Sequence, residues 1–95
     1  MSIAHNRYFD GNVQSLGFER NGHRATVGVL APGTYEFGTD APERMTIVFG
    51  EVSVRHPKGA GPWRDYAKNT SFEIPGKSGF DIKTGEPAAY LCEFL

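Results

Sequence analysis

A few charged side chains are the residues of this sequence best suited to chemistry. Arg24 offers a permanently charged guanidinium with forked donors, which suits an anion such as phosphate. Glu43 and Glu36 offer carboxylates, which accept hydrogen bonds and stabilise nearby positive charge. These groups act together only if the fold brings their separate segments to one site.

Neither the single cysteine nor the histidines form a recognisable nucleophile or metal site. Cys92 has apolar neighbours and no histidine beside it, so we expect a buried thiol with a raised pKa. His5, His23 and His56 are expected near the N-terminus, in a turn and at a strand end. Because a metal site needs its ligands on a shared face, we predict no metal.

Composition and charge are those of an ordinary globular chain. The 95 residues, 39% apolar and 22% charged, predict a single domain over 1–95. Ten basic and eleven acidic side chains leave a net charge of −1, which argues against a nucleic-acid partner. The chain has one cysteine and no signal-like start, so we expect a cytoplasmic protein. Its apolar runs are far shorter than the roughly 20 residues that span a bilayer, so we expect no membrane partner.

Apolar residues alternate over short runs and do not recur at helical spacing, which predicts an all-β protein. The predicted strands cover 13–19, 24–31, 35–37, 44–56, 63–66, 71–74, 80–83 and 88–95. Asn21-Gly22 predicts a tight hairpin between the first two, and Gly50 predicts a bend or turn in the fourth. Many short, evenly spaced strands favour a closed barrel or a jelly roll.

Two of these strands carry further information. In 24–31, Val27 and Val29 alternate with Thr26 and Gly28, which predicts one apolar face and one face of small or polar groups. The run 88–95 stays aromatic and aliphatic to its end, so we expect it to be tied into a sheet and to help build an interface.

Two segments resemble the characteristic motifs of cupins. Residues 43–50 read Glu-Arg-Met-Thr-Ile-Val-Phe-Gly and resemble the first motif, and 69–76 read Asn-Thr-Ser-Phe-Glu-Ile-Pro-Gly and resemble the second. The predicted fold is therefore an all-β cupin-type β-barrel or jelly roll. Metal-binding cupins have histidines shortly before the glutamate and in the second motif, where this chain has Glu-Phe-Gly-Thr at 36–39 and Gly79-Phe80.

Beyond the fold, nearly the whole chain resembles the pyrimidine/purine nucleoside phosphorylase family. The resemblance is carried by Tyr8-Phe9-x-Gly11, Arg24-Ala25-x-Val27-Gly28-Val29, Thr39-x-x-Pro42-Glu43-x-Met45-Thr46, Trp63, Tyr66, Pro75-Gly76-x-Ser78 and Tyr90-Leu91-Cys92-x-x-Leu95. It implies a homodimeric cupin that converts purine and pyrimidine nucleosides plus inorganic phosphate to free base and pentose 1-phosphate. Phosphate would be a co-substrate, and no cofactor is expected.

The implied reaction suggests roles for the charged residues. Arg24 is expected to bind phosphate, with Lys77 adding a point charge and Ser78 a hydroxyl, although a solvated strand-end arginine is the alternative for Arg24. Glu43 is expected to accept hydrogen bonds from ribose hydroxyls and to stabilise an oxocarbenium-like state, with Glu36 as a weaker rival. Alternatively, Glu43 pairs with a neighbouring arginine.

Neutral and aromatic residues complete the predicted site. Thr39 and Thr46 can supply hydroxyls to substrate, or serve only as β-branched strand residues. Flat faces for a nucleobase are offered by four aromatic residues, of which one or two are expected to line the pocket: Tyr35, Phe37, Phe80 and Tyr90.

Two other functions stay open at this point. A metal-dependent cupin oxygenase or isomerase would require ligands that the motifs lack. A nonenzymatic small-molecule-binding cupin would bind a sugar or nucleotide without turnover.

Overall fold

The computed structural model describes residues 2–95, and all but one of its elements are strands. The strands are β1 (Ala4–Tyr8), β2 (Val13–Arg20), β3 (His23–Leu30), β4 (Gly33–Thr39), β5 (Glu43–Phe49), β6 (Glu51–Arg55), β7 (Arg64–Ala67), β8 (Ser71–Ile74), β9 (Ser78–Thr84) and β10 (Ala88–Phe94). A 3₁₀ turn, Phe9–Gly11, joins β1 to β2. The predicted all-β class is confirmed.

The strands form two antiparallel sheets that face each other. One sheet has six strands in the order β1-β2-β3-β10-β5-β8, and the other has four in the order β4-β9-β6-β7. Alternate side chains of both sheets point into a shared core, as the two-residue period of a strand requires. The arrangement is a cupin-type jelly roll, and its two sheets do not close into one continuous barrel.

Glycine and asparagine turns set where the strands begin and end. Asn21 and Gly22 have φ of 52° and 81° and join β2 to β3 in the predicted hairpin. Gly50, with φ of 78°, divides the predicted strand 44–56 into β5 and β6, which lie in different sheets. Strand β1 was not predicted, because its residues are mostly exposed and lack apolar alternation.

The C-terminal strand β10 lies in the middle of the larger sheet. It pairs with β3 on one side and β5 on the other, and the Leu95 N–H donates to the Pro42 carbonyl at 2.9 Å. The prediction that this segment is tied into a sheet is therefore confirmed. Its inward residues, Tyr90 and Cys92, are almost fully buried.

Strand β3 alternates as predicted, but its apolar face is the outer one. Val27 and Val29 are 45% and 53% exposed, whereas Gly28 is buried opposite Tyr90 of β10. A Cβ atom at Gly28 would overlap the Tyr90 ring. Position 28 requires a small residue because the tyrosine ring lies directly over it.

A buried carboxylate fixes the loop after β6. Asp81 of β9 is 2% exposed, and its Oδ2 accepts hydrogen bonds from Arg55 Nε at 2.9 Å and from the Gly59 N–H at 2.7 Å. The Gly59 hydrogen bond is the largest cause that holds the pKa of Asp81 below its ordinary value. The ionised side chain thereby ties residues 56–61 to the smaller sheet.

Replacing Gly28 with alanine should destabilise the fold. The added methyl group overlaps the Tyr90 ring, and overpacking of this kind costs about 1–3 kcal/mol. We expect a lower Tm for Gly28→Ala by thermal unfolding. Gly38→Ala is the matched control in a strand, because its added Cβ would meet nothing closer than 3.9 Å. Equal losses in both variants would contradict the steric explanation.

Asp81→Asn should reduce stability in a pH-dependent way. The pKa of Asp81 is lowered in the fold, so its ionic contribution is fully present above roughly pH 4, the ordinary aspartate value, and is lost as pH falls through the lower folded pKa. Near neutral pH the substitution should cost about 1–3 kcal/mol in urea unfolding, and less near pH 3. Asp65→Asn, at an exposed position, serves as the control. A pH-independent difference would contradict this account.

Candidate active site

A cavity of about 500 Å³ lies between the two sheets. Its volume falls in the range of roughly 300–1,000 Å³ that is typical of small-molecule sites. Strands β2, β3, β5 and β10 of the larger sheet line one side, and β4 and β9 of the smaller sheet line the other. We call this space the inter-sheet cavity.

Aromatic rings form one wall of the inter-sheet cavity. Phe37 of β4 stacks on Phe80 of β9, with ring centroids 5.6 Å apart and planes 23° from parallel. Phe9 meets Phe37 edge to face at 5.6 Å. Tyr8 and Phe9 are each 43% exposed, so they lie at the opening while Phe80 lies at the bottom. The wall is apolar and reachable from solvent, and its Phe37 and Phe80 rings are nearly parallel.

The 3₁₀ turn that carries Phe9 has an unusual backbone. Phe9 and Asp10 have φ of 51° and 57°, in the left-handed region that non-glycine residues rarely adopt. Contacts hold it in place, because the Phe9 ring packs 5.1 Å from the Tyr35 ring and Arg7 Nη2 donates to the Asp10 carbonyl at 3.3 Å. Backbone strain of this kind often accompanies functional sites.

Glu43 is the half-buried carboxylate of the inter-sheet cavity, which the exposed residues Glu36 and Asp40 also line. Glu43 lies at the start of β5, and its Oε1 accepts a hydrogen bond from the Cys92 Sγ at 3.4 Å. Burial raises the pKa of Glu43, and the thiol hydrogen bond acts in the opposite direction. Among residues 2–95 no arginine forms an ion pair with Glu43, so the alternative of an arginine partner is wrong.

Two further groups on β10 point into the inter-sheet cavity beside Glu43. Burial, together with the nearby carboxylate of Glu43, raises the pKa of Cys92 to about 12, so the thiol keeps its proton. Burial likewise raises the pKa of Tyr90 to about 12. The prediction that Cys92 is buried is confirmed, but the thiol is also a hydrogen-bond donor within the site.

Arg24 lies at the opening of the inter-sheet cavity. Its side chain is exposed, and its Cζ atom lies 5.0 Å from the centre of the Phe94 ring. In the described part of the chain, no carboxylate lies within ion-pair distance of Arg24. On the opposite wall, Glu36 is paired with Lys58 at 3.9 Å. The Arg24 guanidinium is therefore available to an incoming anion.

The structure brings together six of the eleven predicted site residues. Those lining the inter-sheet cavity are Arg24, Glu36, Phe37, Glu43, Phe80 and Tyr90. Sequence reasoning missed Tyr8, Phe9, Ser15 and Thr26, which also line it. The motif Tyr8-Phe9-x-Gly11 was the available signal for the first two, whereas a serine or threonine in a strand carries no signal of its own.

Two of the remaining predicted residues bond to neighbouring backbone outside the inter-sheet cavity. The Tyr35 hydroxyl donates to the Ala31 carbonyl at 2.7 Å. The Thr39 hydroxyl donates to the Pro75 carbonyl at 2.7 Å and accepts from the Ser78 N–H at 3.1 Å. These bonds connect loops to the sheets.

The other three lie further along the surface. Thr46 exchanges a hydrogen bond with Ser71 at 2.8 Å across β5 and β8, on the outer face. Lys77 is exposed in a turn with φ of 52°, and the Ser78 hydroxyl lies 3.0 Å from His56 Nε2. Their substrate-binding roles stay predictions.

The described residues offer few other functional features. No group of three or more histidine, cysteine, aspartate or glutamate side chains in residues 2–95 is placed to hold a metal ion. No helix within that range is long and apolar enough to cross a membrane.

Solved structures share this fold. A protein of unknown function from Vibrio parahaemolyticus is 46% identical and superposes with a TM-score of 0.95, with all of both chains covered. A putative ethanolamine utilization protein Q from Salmonella typhimurium superposes with a TM-score of 0.76 at 15% identity, covering 98% of this chain and 93% of that one. At that identity the second likeness shows the fold alone.

Sequence comparison identifies the family. Residues 3–94 match the family model described as pyrimidine/purine nucleoside phosphorylase. Proteins with that name include one from Sorangium cellulosum (strain So ce56), 59% identical, and one from Vibrio vulnificus (strain YJ016), 50% identical. Each match spans 93 residues, 98% of this chain and 99% of the relative. Because the match covers nearly the whole chain, this protein belongs to the pyrimidine/purine nucleoside phosphorylase family.

Proposed function

We propose that this protein is a nucleoside phosphorylase of broad specificity that works in the inter-sheet cavity. A phosphate oxygen attacks the anomeric carbon of the nucleoside, and the N-glycosidic bond breaks. The base leaves with the bonding electron pair and takes up a proton, so the products are free base and pentose 1-phosphate. The observation that carries this proposal is one cavity that holds an unpaired guanidinium, a half-buried carboxylate and an aromatic wall.

Arg24 is the proposed phosphate-binding residue. Its forked donors match two phosphate oxygens, and it stays charged at any working pH. Arg24 lies at the opening against the Phe94 ring and has no carboxylate partner among residues 2–95. Its donors are therefore available. A phosphate held there would lie at the rim, next to a nucleoside bound deeper in the inter-sheet cavity.

Glu43 is the proposed sugar-binding and charge-stabilising residue. An oxocarbenium-like state carries positive charge that a fixed carboxylate stabilises, and burial strengthens this effect by excluding water. Glu43 is half-buried, and its one hydrogen-bond donor among the described side chains is a neutral thiol. Its charge is therefore not cancelled by a protein cation.

The aromatic wall supports broad base specificity. Phe37, Phe80 and Phe9 present ring faces and edges without hydrogen-bonding groups. Every nucleobase has a π-face, so a stacking surface accepts purines and pyrimidines alike. Selection between bases would then depend on size more than on hydrogen bonds.

The proposed reaction uses inorganic phosphate and no metal or organic cofactor. The positions at which metal-binding cupins have histidines are here Glu36, Phe37, Gly38 and Thr39, and Gly79-Phe80 in the second motif. We also propose a cytoplasmic location, because a buried free thiol is typical of a reducing compartment.

We further propose that the outer face of the larger sheet forms a homodimer interface. Leu16, Val27 and Val29 are about half exposed and lie side by side in register across β2 and β3, with Leu91 of β10 opposite Val27. The centre of this face carries no charge, so a second copy of it meets no like charge there. A two-fold contact uses the same patch on both subunits.

The reaction is tested by base release from uridine, adenosine and inosine. We expect chromatography to detect free base only when phosphate is present, and the activity to survive a chelator. Base release that disappears on chelation would support a metal-dependent cupin instead. No release, combined with a nucleoside-dependent rise in Tm, would support a binding module without turnover.

Substitutions assign the roles. Glu43→Gln should lower kcat by roughly 100-fold or more, because it removes charge from the oxocarbenium-like state. Arg24→Gln should act mainly on the KM for phosphate. Glu86→Gln, in an exposed loop outside the inter-sheet cavity, is the matched control and should retain full activity. If Glu43→Gln behaves like this control, the proposed role of the carboxylate is wrong.

The dimer is tested with Val27→Lys and light scattering after size exclusion. A two-fold interface receives the new charge twice, so we expect a monomer with an intact fold. Thr34→Lys, at an exposed position on the smaller sheet, should stay dimeric. A monomeric parent protein, or a Val27→Lys variant that stays dimeric, would contradict the proposed interface.

A further inference from the structure

We infer that Cys92 is a positioning residue, whose S–H group holds the Glu43 carboxylate in place in the inter-sheet cavity. The inference rests on the proposed function, in which Glu43 stabilises the developing positive charge. It assigns the cysteine no covalent or redox chemistry.

The register of the central strands places the two groups together. Glu43 of β5 lies opposite Phe94 of β10, and Cys92 is two residues earlier on the same inward face of β10. The Sγ to Oε1 distance of 3.4 Å is suited to a sulfur hydrogen bond. Cys92 is 4% exposed, so little of the thiol is in contact with water.

The thiol lies on a strand that is flanked by β3 and β5. Thr26 of β3 lies directly opposite Cys92, and both residues line the inter-sheet cavity. Among the described residues, the Glu43 carboxylate is the one hydrogen-bond acceptor of the S–H group. A neutral donor of this kind orients the carboxylate without cancelling its charge.

Other groups that face the inter-sheet cavity offer Glu43 no comparable partner. Six other titratable or charged side chains line the cavity around Glu43. They come from β1, β3, β4, the loop after β4 and β10, and they are Tyr8, Arg24, Glu36, Asp40, Tyr90 and Cys92. Of these, only Cys92 hydrogen-bonds Glu43 in the described residues. Arg24 forms no ion pair with it.

Loss of the thiol should therefore make Glu43 easier to protonate. Desolvation raises the pKa of Glu43 and the Cys92 hydrogen bond lowers it, so removing the donor leaves desolvation unopposed. The thiol itself does not titrate near neutral pH, because the pKa of Cys92 is raised to about 12. The donor is thus present throughout the range in which Glu43 titrates.

The primary experiment follows Glu43 directly by carboxyl ¹³C NMR in the ligand-free full-length protein, with its signal assigned through Glu43→Gln. Cys92→Ala should move the Glu43 titration midpoint upward by roughly 0.5–1 pH unit, and Cys92→Ser should reverse most of this movement. Val52→Ala, a truncation in the core of the other sheet, is the control for general destabilisation and should leave the midpoint unchanged. If Cys92→Ala does not fold, Cys92→Val fills the site without a donor and must give the same upward movement.

Kinetics give a second measure. The acidic limb of the kcat/KM profile should move with the NMR midpoint, so that activity at a pH on that limb falls roughly 3- to 10-fold in Cys92→Ala and recovers in Cys92→Ser. If the parent protein turns over nucleosides but Cys92→Ala has the same Glu43 titration midpoint as the parent, the inference is wrong and the proposed function still stands. If the Glu43 midpoint moves upward in Cys92→Ala but the parent protein shows no turnover, the positioning role of Cys92 is supported and the proposed function is refuted.

Discussion

The pairing of β10 between β3 and β5 is the constraint on which the rest of the structure depends. Its register sends Tyr90 and Cys92 inward, and puts them opposite Gly28 and Thr26 of β3. A slip of one residue would put Leu91 and Glu93 inside instead, and would leave the site without its thiol and phenol. The last strand of the chain therefore completes both the sheet and the inter-sheet cavity.

The inter-sheet cavity separates its charges by depth, which gives them different electrostatic environments. Arg24 is exposed at the opening, where water screens it and an anion can reach it. Glu43 is half-buried, and desolvation raises its pKa. The Phe94 ring of β10 lies beside both residues, and the aromatic wall supplies further apolar surface. This arrangement suits a reaction in which a soluble anion meets a substrate that becomes positively charged inside a drier space.

Much of the fold could be predicted from local patterns, and the exceptions have physical reasons. The Asn21-Gly22 hairpin and the turn at Gly50 follow from backbone angles that few residues adopt. Strand β1 could not be predicted, since an exposed edge strand needs no apolar alternation. The site was predicted in part: Tyr90 points into the inter-sheet cavity, whereas Tyr35, of the same residue type, hydrogen-bonds the Ala31 carbonyl outside it.

The sequence by itself determined the all-β class, the family and the residue types available for chemistry, because turns, alternation and motifs are local properties of the chain. Only the tertiary structure decided which face of each strand is inside. In β3 the polar and small face lines the inter-sheet cavity while Val27 and Val29 lie outside, the reverse of the usual arrangement. Alternation defines two faces, but the choice between them depends on long-range partners, here the Tyr90 ring over Gly28 and the Cys92 thiol at Glu43.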